Sequence, residues 1–169
     1  MDAPTDAELY HLAEQLGGCL HAVGLRVVTV ESCTGGWIAK ALTDVAGSSA
    51  WFETGFVTYA NASKQQLVGV SAHTLAAHGA VSAETVAAMA GGALRTWPSA
   101  TLSVAVSGVA GPGGGSAEKP VGTVWFGFGD ARRSPGAVVQ TESCLFEGDR
   151  RAVRAQTVAH ALRGLQARI

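Results

Sequence analysis

Charge is scarce in this chain: Asp, Glu, Lys and Arg make up 15% of its 169 residues and balance to a formal net charge of −1. A nucleic-acid surface needs a basic stripe to neutralise phosphates. The basic residues here are scattered, except for Arg150, Arg151 and Arg154, so no nucleic-acid partner is expected. Cysteine is rarer still. Cys19, Cys33 and Cys144 form no CxxC pair and leave an odd count, which suits free thiols in a reducing compartment rather than a disulfide framework. His11, His21, His73, His78 and His160 fall in no HExxH or Cys/His spacing, so no metal is expected. No stretch approaches the roughly 20 consecutive apolar residues that span a bilayer. The opening MDAPTDAELY carries acids where a secretory signal has a positive region and an apolar run. These absences together point to a cytoplasmic protein with no membrane partner.

What the chain has in quantity is apolar side chains, 47% of residues. That is enough to bury one core, and the length fits one domain over residues 1–169, since domains usually run to about 100–200 residues. Thr5 and Glu8 form a capping box ahead of Leu9, Leu12, Leu16, Leu20 and Val23, predicting a first helix closed by Gly24. Leu25 to Val30 reads as a strand covered on both faces. After Ser32-Cys-Thr-Gly-Gly36 a helical period returns at Trp37, Ile38, Ala41, Leu42 and Val45, up to Gly47. Glu53 to Tyr59 reads as a second strand, with Asn61 as N-cap of a short helix carrying Lys64 and Leu67. Ser71 and Ser82 each cap a further helix, the second running through Val86, Met89, Ala90 and Leu94 to Pro98. Thr101 to Val106 is another buried strand. Val121 to Phe128 and Ala137 to Phe146 form a hairpin through Asp130 to Gly136, and a last helix spans about Asp149 to Gln166. Alternating helix and strand followed by two adjacent strands predicts an α/β fold, a mixed sheet with helices on both faces.

Ser32 stands at a strand-to-helix turn, where its oxygen is exposed beside free backbone N–H groups able to hold an oxyanion. Ser32 or Thr34 equally suits the N-cap of the helix that follows. Gly35 and Gly36 are costly in a first helical turn, which points to close approach by something else. Lys64, in a first helical turn, faces the positive end of the macrodipole, which disfavours its charged form and suits a base. A solvated surface lysine is the other reading. Cys33 is a competing nucleophile at the same turn. The glycine-rich loop Ser107 to Ser116 follows a buried strand, where open α/β sheets bind ligands, but it matches neither GxxxxGK[ST] nor GxGxxG. Arg150, Arg151 and Arg154 at a helix start call either for a bound phosphate or carboxylate or for pairing with Glu147 and Asp149. Ser116-Ala-Glu-Lys119 matches SxxK formally, but Pro120 follows and the segment is not helical.

Five ordered motifs, Glu31-Ser-Cys-Thr-Gly-Gly36, Val57-Thr-Tyr-Ala-Asn61 with Lys64, Ser107-Gly-Val-Ala-Gly-Pro-Gly-Gly-Gly115, Lys119-Pro-Val-Gly-Thr123 and Gly148-Asp-Arg150, give the chain its likeness. It resembles the CinA C-terminal domain family from about Leu9 to Leu165, without the larger CinA N-terminal domain. The resemblance implies a single-domain, three-layer α/β/α sandwich with a mixed, largely parallel sheet. It implies hydrolysis of nicotinamide mononucleotide to nicotinate mononucleotide and ammonia, with no cofactor and a pyridine mononucleotide as the small-molecule partner. Carried over by position, Ser32 is the nucleophile, Lys64 the base and Tyr59 a supporting hydroxyl. The substrate site is expected to include Cys33, Thr34, Gly35, Gly36, Asn61, Ser107, Gly108, Ala110, Gly111, Gly113 and Arg150. Ser107 stands where family members commonly have threonine and keeps the hydroxyl. A homodimer is expected from the resemblance and from Trp51 and Phe52 as surface aromatics. Two rivals remain at this point: a nucleotide- or partner-binding module without catalysis, and an amidase for another small carboxamide.

Overall fold

Capping side chains set where most helices begin in the computed structural model, which describes residues 3–133 and 138–169. Helix α1 (Asp6–Val23) has the full capping box, with Thr5 accepting from the Glu8 N–H and the Glu8 carboxylate accepting from the Thr5 N–H, and Gly24 closes it in the left-handed conformation. Ser71 caps α4 (Ala72–His78), Ser82 caps α5 (Ala83–Thr96), and Asp149 caps α6 (Arg150–Gln166). Two expectations need correcting. Helix α3 (Asn61–Val68) is capped by Ala60, which is extended at φ −81° and ψ 156°, so Asn61 is already the first helical residue. Helix α2 (Trp37–Thr43) stops short of Gly47, and a 3₁₀ turn over Ser48–Ala50 follows that glycine.

The strands are β1 (Val27–Glu31), β2 (Phe52–Val57), β3 (Leu102–Gly108), β4 (Thr123–Asp130) and β5 (Val138–Leu145), in the order β2-β1-β3-β4-β5. β1 pairs parallel with both β2 and β3, and β4 pairs antiparallel with β3 and β5. Only β4 therefore runs against the others, and the sheet is mixed but largely parallel. The expected hairpin loop, Asp130 to Gly136 with Pro135, falls in part on residues 134–137, which lie outside the described residues.

Period-two alternation gives each sheet face its own core. Leu16, Leu20, Ile38, Leu42, Val104, Phe126, Val158 and Leu162 fill the layer under α1, α2 and α6. Val28, Val30, Val86, Met89, Ala90 and Ala105 fill the opposite layer under α3 and α5. Trp51 belongs to the first layer, only 3% exposed, and Phe52 is half-buried against it. The indole lies where Gly17 of α1 leaves room: a Cβ there would sit 2.5 Å from Trp51 Cζ2. These two aromatics thus face inward, correcting the surface placement on which the dimer expectation partly stood. Among the described residues no helix is long and apolar enough to cross a membrane.

The connections decide where a site can form. The chain leaves β1 through α2 to reach β2 on one side, then returns through α3, α4 and α5 to β3 on the other. Successive crossovers diverging from one strand open a crevice at its carboxyl end. Glu31 closes β1 opposite Val57 and Val106, so Ser32, Thr58 and Ser107 all emerge at that end.

Candidate active site

Ser32 follows β1 directly, with its N–H donating to the Val106 carbonyl at 3.1 Å and only 9% of its surface exposed. From α3, Lys64 reaches in with 1% exposure and sets Nζ 3.1 Å from Ser32 Oγ, 2.7 Å from the Thr58 carbonyl and 3.2 Å from the Tyr59 carbonyl. Burial pulls the Lys64 pKa below its ordinary value. Desolvation is the main cause. A neutral amine has two N–H donors and one lone pair. In that neutral form, with both donors on the two carbonyls, the lone pair would face Ser32 Oγ; in the charged form Nζ donates to all three oxygens.

Neither Ser32 nor Thr34 caps α2. That work falls to Glu31, whose buried carboxylate accepts from the N–H groups of Gly36 (3.0 Å), Ile38 (3.0 Å) and Ala39 (2.8 Å) and from Thr34 Oγ1 (2.6 Å). From the other side, Arg154 of α6 donates through Nε to the Cys33 carbonyl (3.1 Å) and through Nη2 to the Thr34 carbonyl (2.7 Å). Its guanidinium lies 5.3 Å from the Trp37 ring centre. The turn after Ser32 is thus held by an acid beneath and a cation above. Among the described residues the Cys33 and Thr34 N–H groups donate to no acceptor. Cys33 itself is buried, and desolvation pushes its thiol up to about 11, so its thiolate is disfavoured where a lowered pKa was the alternative reading.

The dyad opens into a cavity of about 220 Å³ whose walls include Cys33, Ser107, Gly108, Ala110, Tyr59 and Arg150, with Ala80 and Val81 from the α4–α5 connection. Tyr59 is 61% exposed; its carbonyl serves Lys64, and its hydroxyl accepts from Arg150 Nη2 at 3.4 Å. Arg150 also donates through Nη1 to the Gly111 carbonyl at 2.8 Å. Thr34, Gly35 and Gly36 instead line a neighbouring cleft of about 670 Å³ with Trp37, Lys40, Arg150, Arg151 and Arg154. Asn61, Gly111 and Gly113 line neither space, Gly111 touching the site only through its carbonyl on Arg150.

Of the two readings for the three arginines, pairing with Glu147 and Asp149 is not seen among the described residues: Asp149 spends its carboxylate on the Ala152 N–H, and Arg151 pairs with Asp6 at 3.2 Å. The Ser116–Lys119 match is a turn, with the Lys119 N–H donating to Ser116 Oγ and Nζ pointing to the His78 carbonyl. Among the described residues no three or more His, Cys, Asp and Glu side chains gather as a metal site. The sequence reading missed Glu31 and the turn-holding role of Arg154. The available signals were an acid ending an apolar strand five residues before Gly36, and a cation four residues after Arg150 on one helix face. Ala80 and Val81 carried no signal.

The model of the CinA C-terminal domain matches residues 9–169. The chain is 57% identical over 161 residues to the nicotinamide-nucleotide amidohydrolase PncC of Escherichia coli K12, covering 95% of this chain and 94% of that protein. It is 54% identical to the protein of the same name from Pseudomonas putida, covering 91% and 92%. Among solved structures, the competence/damage inducible protein CihA of Agrobacterium tumefaciens superposes with a TM-score of 0.89 at 44% identity, covering 98% of this chain and 96% of that one. On a family match that takes in both the Ser32 turn and Arg150, and on relatives alike along nearly their whole length, the chain belongs to the CinA C-terminal domain family.

Proposed function

We propose that this chain is a nicotinamide-nucleotide amidohydrolase, converting nicotinamide mononucleotide to nicotinate mononucleotide and ammonia, with Ser32 as nucleophile and Lys64 as base. The relatives' names support the reaction, and the 3.1 Å approach of a buried Lys64 Nζ to Ser32 Oγ carries the mechanism. Neutral Lys64 takes the Ser32 proton as Oγ bonds to the carboxamide carbon. The negative charge that develops on the carboxamide oxygen is met by the Cys33 and Thr34 N–H groups. Lys64 returns the proton to the leaving nitrogen, the C–N bond breaks, and ammonia departs. Water, deprotonated by the same amine, then cleaves the ester and restores Ser32.

In this reading Ser107, Gly108 and Ala110 wall the pyridine ring, Thr34, Gly35 and Gly36 border the path outward, and Arg150 stands between. Tyr59 serves through its carbonyl on Lys64 and through the hydroxyl that steadies Arg150. No cofactor enters, and the setting is pyridine nucleotide salvage in the cytoplasm. A homodimer rests on family likeness alone, since Trp51 and Phe52 turn inward.

Ammonia release from nicotinamide mononucleotide tests the proposal. Ser32→Ala and Lys64→Ala should each lower kcat by about a thousandfold or more while keeping wild-type circular dichroism, since acid–base help alone contributes about 10²–10⁴. Saturable binding by the wild type without ammonia release would leave a binding module instead. Turnover of other carboxamides in preference to the mononucleotide would leave an amidase of different specificity.

A further inference from the structure

We propose that the cationic cleft beside the dyad cavity is the phosphate subsite of the substrate, with Lys40 and Arg151 as the side chains that take the phosphate. The inference rests on the mononucleotide reading above and adds where the far end of that substrate docks. The dyad cavity, at about 220 Å³, is smaller than the roughly 300–1,000 Å³ usual for small-molecule sites. It has room for a pyridine ring and its carboxamide, so the ribose and phosphate must leave through its mouth. Arg150 lines both that cavity and the cleft of about 670 Å³ next to it.

The cleft is the basic spot of a nearly neutral chain. Lys40, Arg150, Arg151 and Arg154 line it against one acid, Asp6. Three of these cations sit in the first turn or so of α6, where the macrodipole disfavours positive charge. Two have internal work: Arg150 on the Gly111 carbonyl, and Arg154 on the Cys33 and Thr34 carbonyls. Lys40 and Arg151 do not. Lys40 pairs with the exposed Asp44 and Arg151 with the exposed Asp6, the Arg151 guanidinium lying also 5.6 Å from the Trp37 ring centre, and such surface pairs contribute about 0–1 kcal/mol. They can therefore turn to a phosphate at little cost and gain charge-assisted hydrogen bonds. The start of α2 does not supply this charge, because Glu31 already occupies its N–H groups.

Steady-state kinetics on the mononucleotide and on its dephosphorylated nucleoside separate the parts. The double variant Lys40→Ala with Arg151→Ala should raise KM for the mononucleotide about tenfold to a hundredfold with kcat nearly unchanged, the signature of lost uniform binding. Its kcat/KM for the nucleoside should equal the wild type's. Inorganic phosphate should inhibit the wild type competitively and lose most of that effect on the variant. An unchanged KM for the mononucleotide, or an equal loss on both substrates, overturns the phosphate assignment while the amidase reading stands. Absence of ammonia release from the mononucleotide by the wild type ends both.

Discussion

At the scale of single residues, the proposed chemistry depends on an amine kept out of water. An exposed lysine titrates near 10.4 and is almost wholly protonated at neutral pH. Burial lowers that value for Lys64, and the Thr58 and Tyr59 carbonyls orient whatever lone pair results. The acid limb of kcat/KM should therefore titrate below the ordinary lysine range, with activity rising as pH increases through it. Lys64→Arg keeps a cation that does not deprotonate and should abolish turnover across the whole profile; a retained acid limb in that variant would remove Lys64 as its source. Stability follows with a definite sign. Between the lowered folded pKa and the unfolded value of about 10.4, the unfolded chain binds more protons, so the wild type gains stability as pH rises through that window. Lys64→Met should flatten the slope, as read from denaturant midpoints across alkaline pH.

At the scale of elements, the β1–α2 turn is a loaded joint rather than a simple cap. Glu31 spans five donors and Arg154 ties two carbonyls, and both act on Ser32 by fixing the backbone next to it. Glu31→Gln keeps the shape but sets an NH₂ group against N–H donors. It should cost about 1.5–3 kcal/mol in denaturant unfolding, the usual worth of a hydrogen bond to a charged group. It should also lower kcat more than it raises KM, because it disturbs the oxyanion donors rather than the pocket walls. Arg154→Lys retains charge but loses the planar fork, and the same kcat-weighted loss is expected with the fold kept; a loss confined to stability in both variants would reduce them to scaffold. This joint also marks the limit of what sequence revealed. Capping boxes, apolar periods and the two serine caps are local signals, so the helices opening at Thr5, Ser71, Ser82 and Asp149 were all readable. The pairing of Ser32 with Lys64 was readable as motif order. Glu31 and Arg154 were not, because their roles depend on groups brought together by tertiary structure, 121 residues apart in the contact between Arg154 and Cys33. Trp51 misled for a similar reason: only the packing of α1 shows that Gly17 makes a slot for it.

At the scale of the whole molecule, the site sits where two opposite crossovers part, so its two halves hang from opposite faces of one sheet. α2 and α6 hold the Ser32 turn from the face filled by Leu16, Ile38, Phe126 and Leu162, while α3 delivers Lys64 from the face filled by Val30, Val86 and Met89. A dyad with Nζ and Oγ 3.1 Å apart stays aligned only if both layers are rigid against the same strands. The two cores should then melt together. Leu16→Ala and Met89→Ala each remove a fully buried side chain and should cost about 2–5 kcal/mol. Lying on opposite sides of the sheet without shared partners, their costs should add in the double variant to within about half a kcal/mol. Calorimetry should show one transition in all three variants, with the van't Hoff and calorimetric enthalpies equal. Two separable transitions would mean that the layers fold independently, and that something other than the shared sheet keeps Lys64 in reach of Ser32.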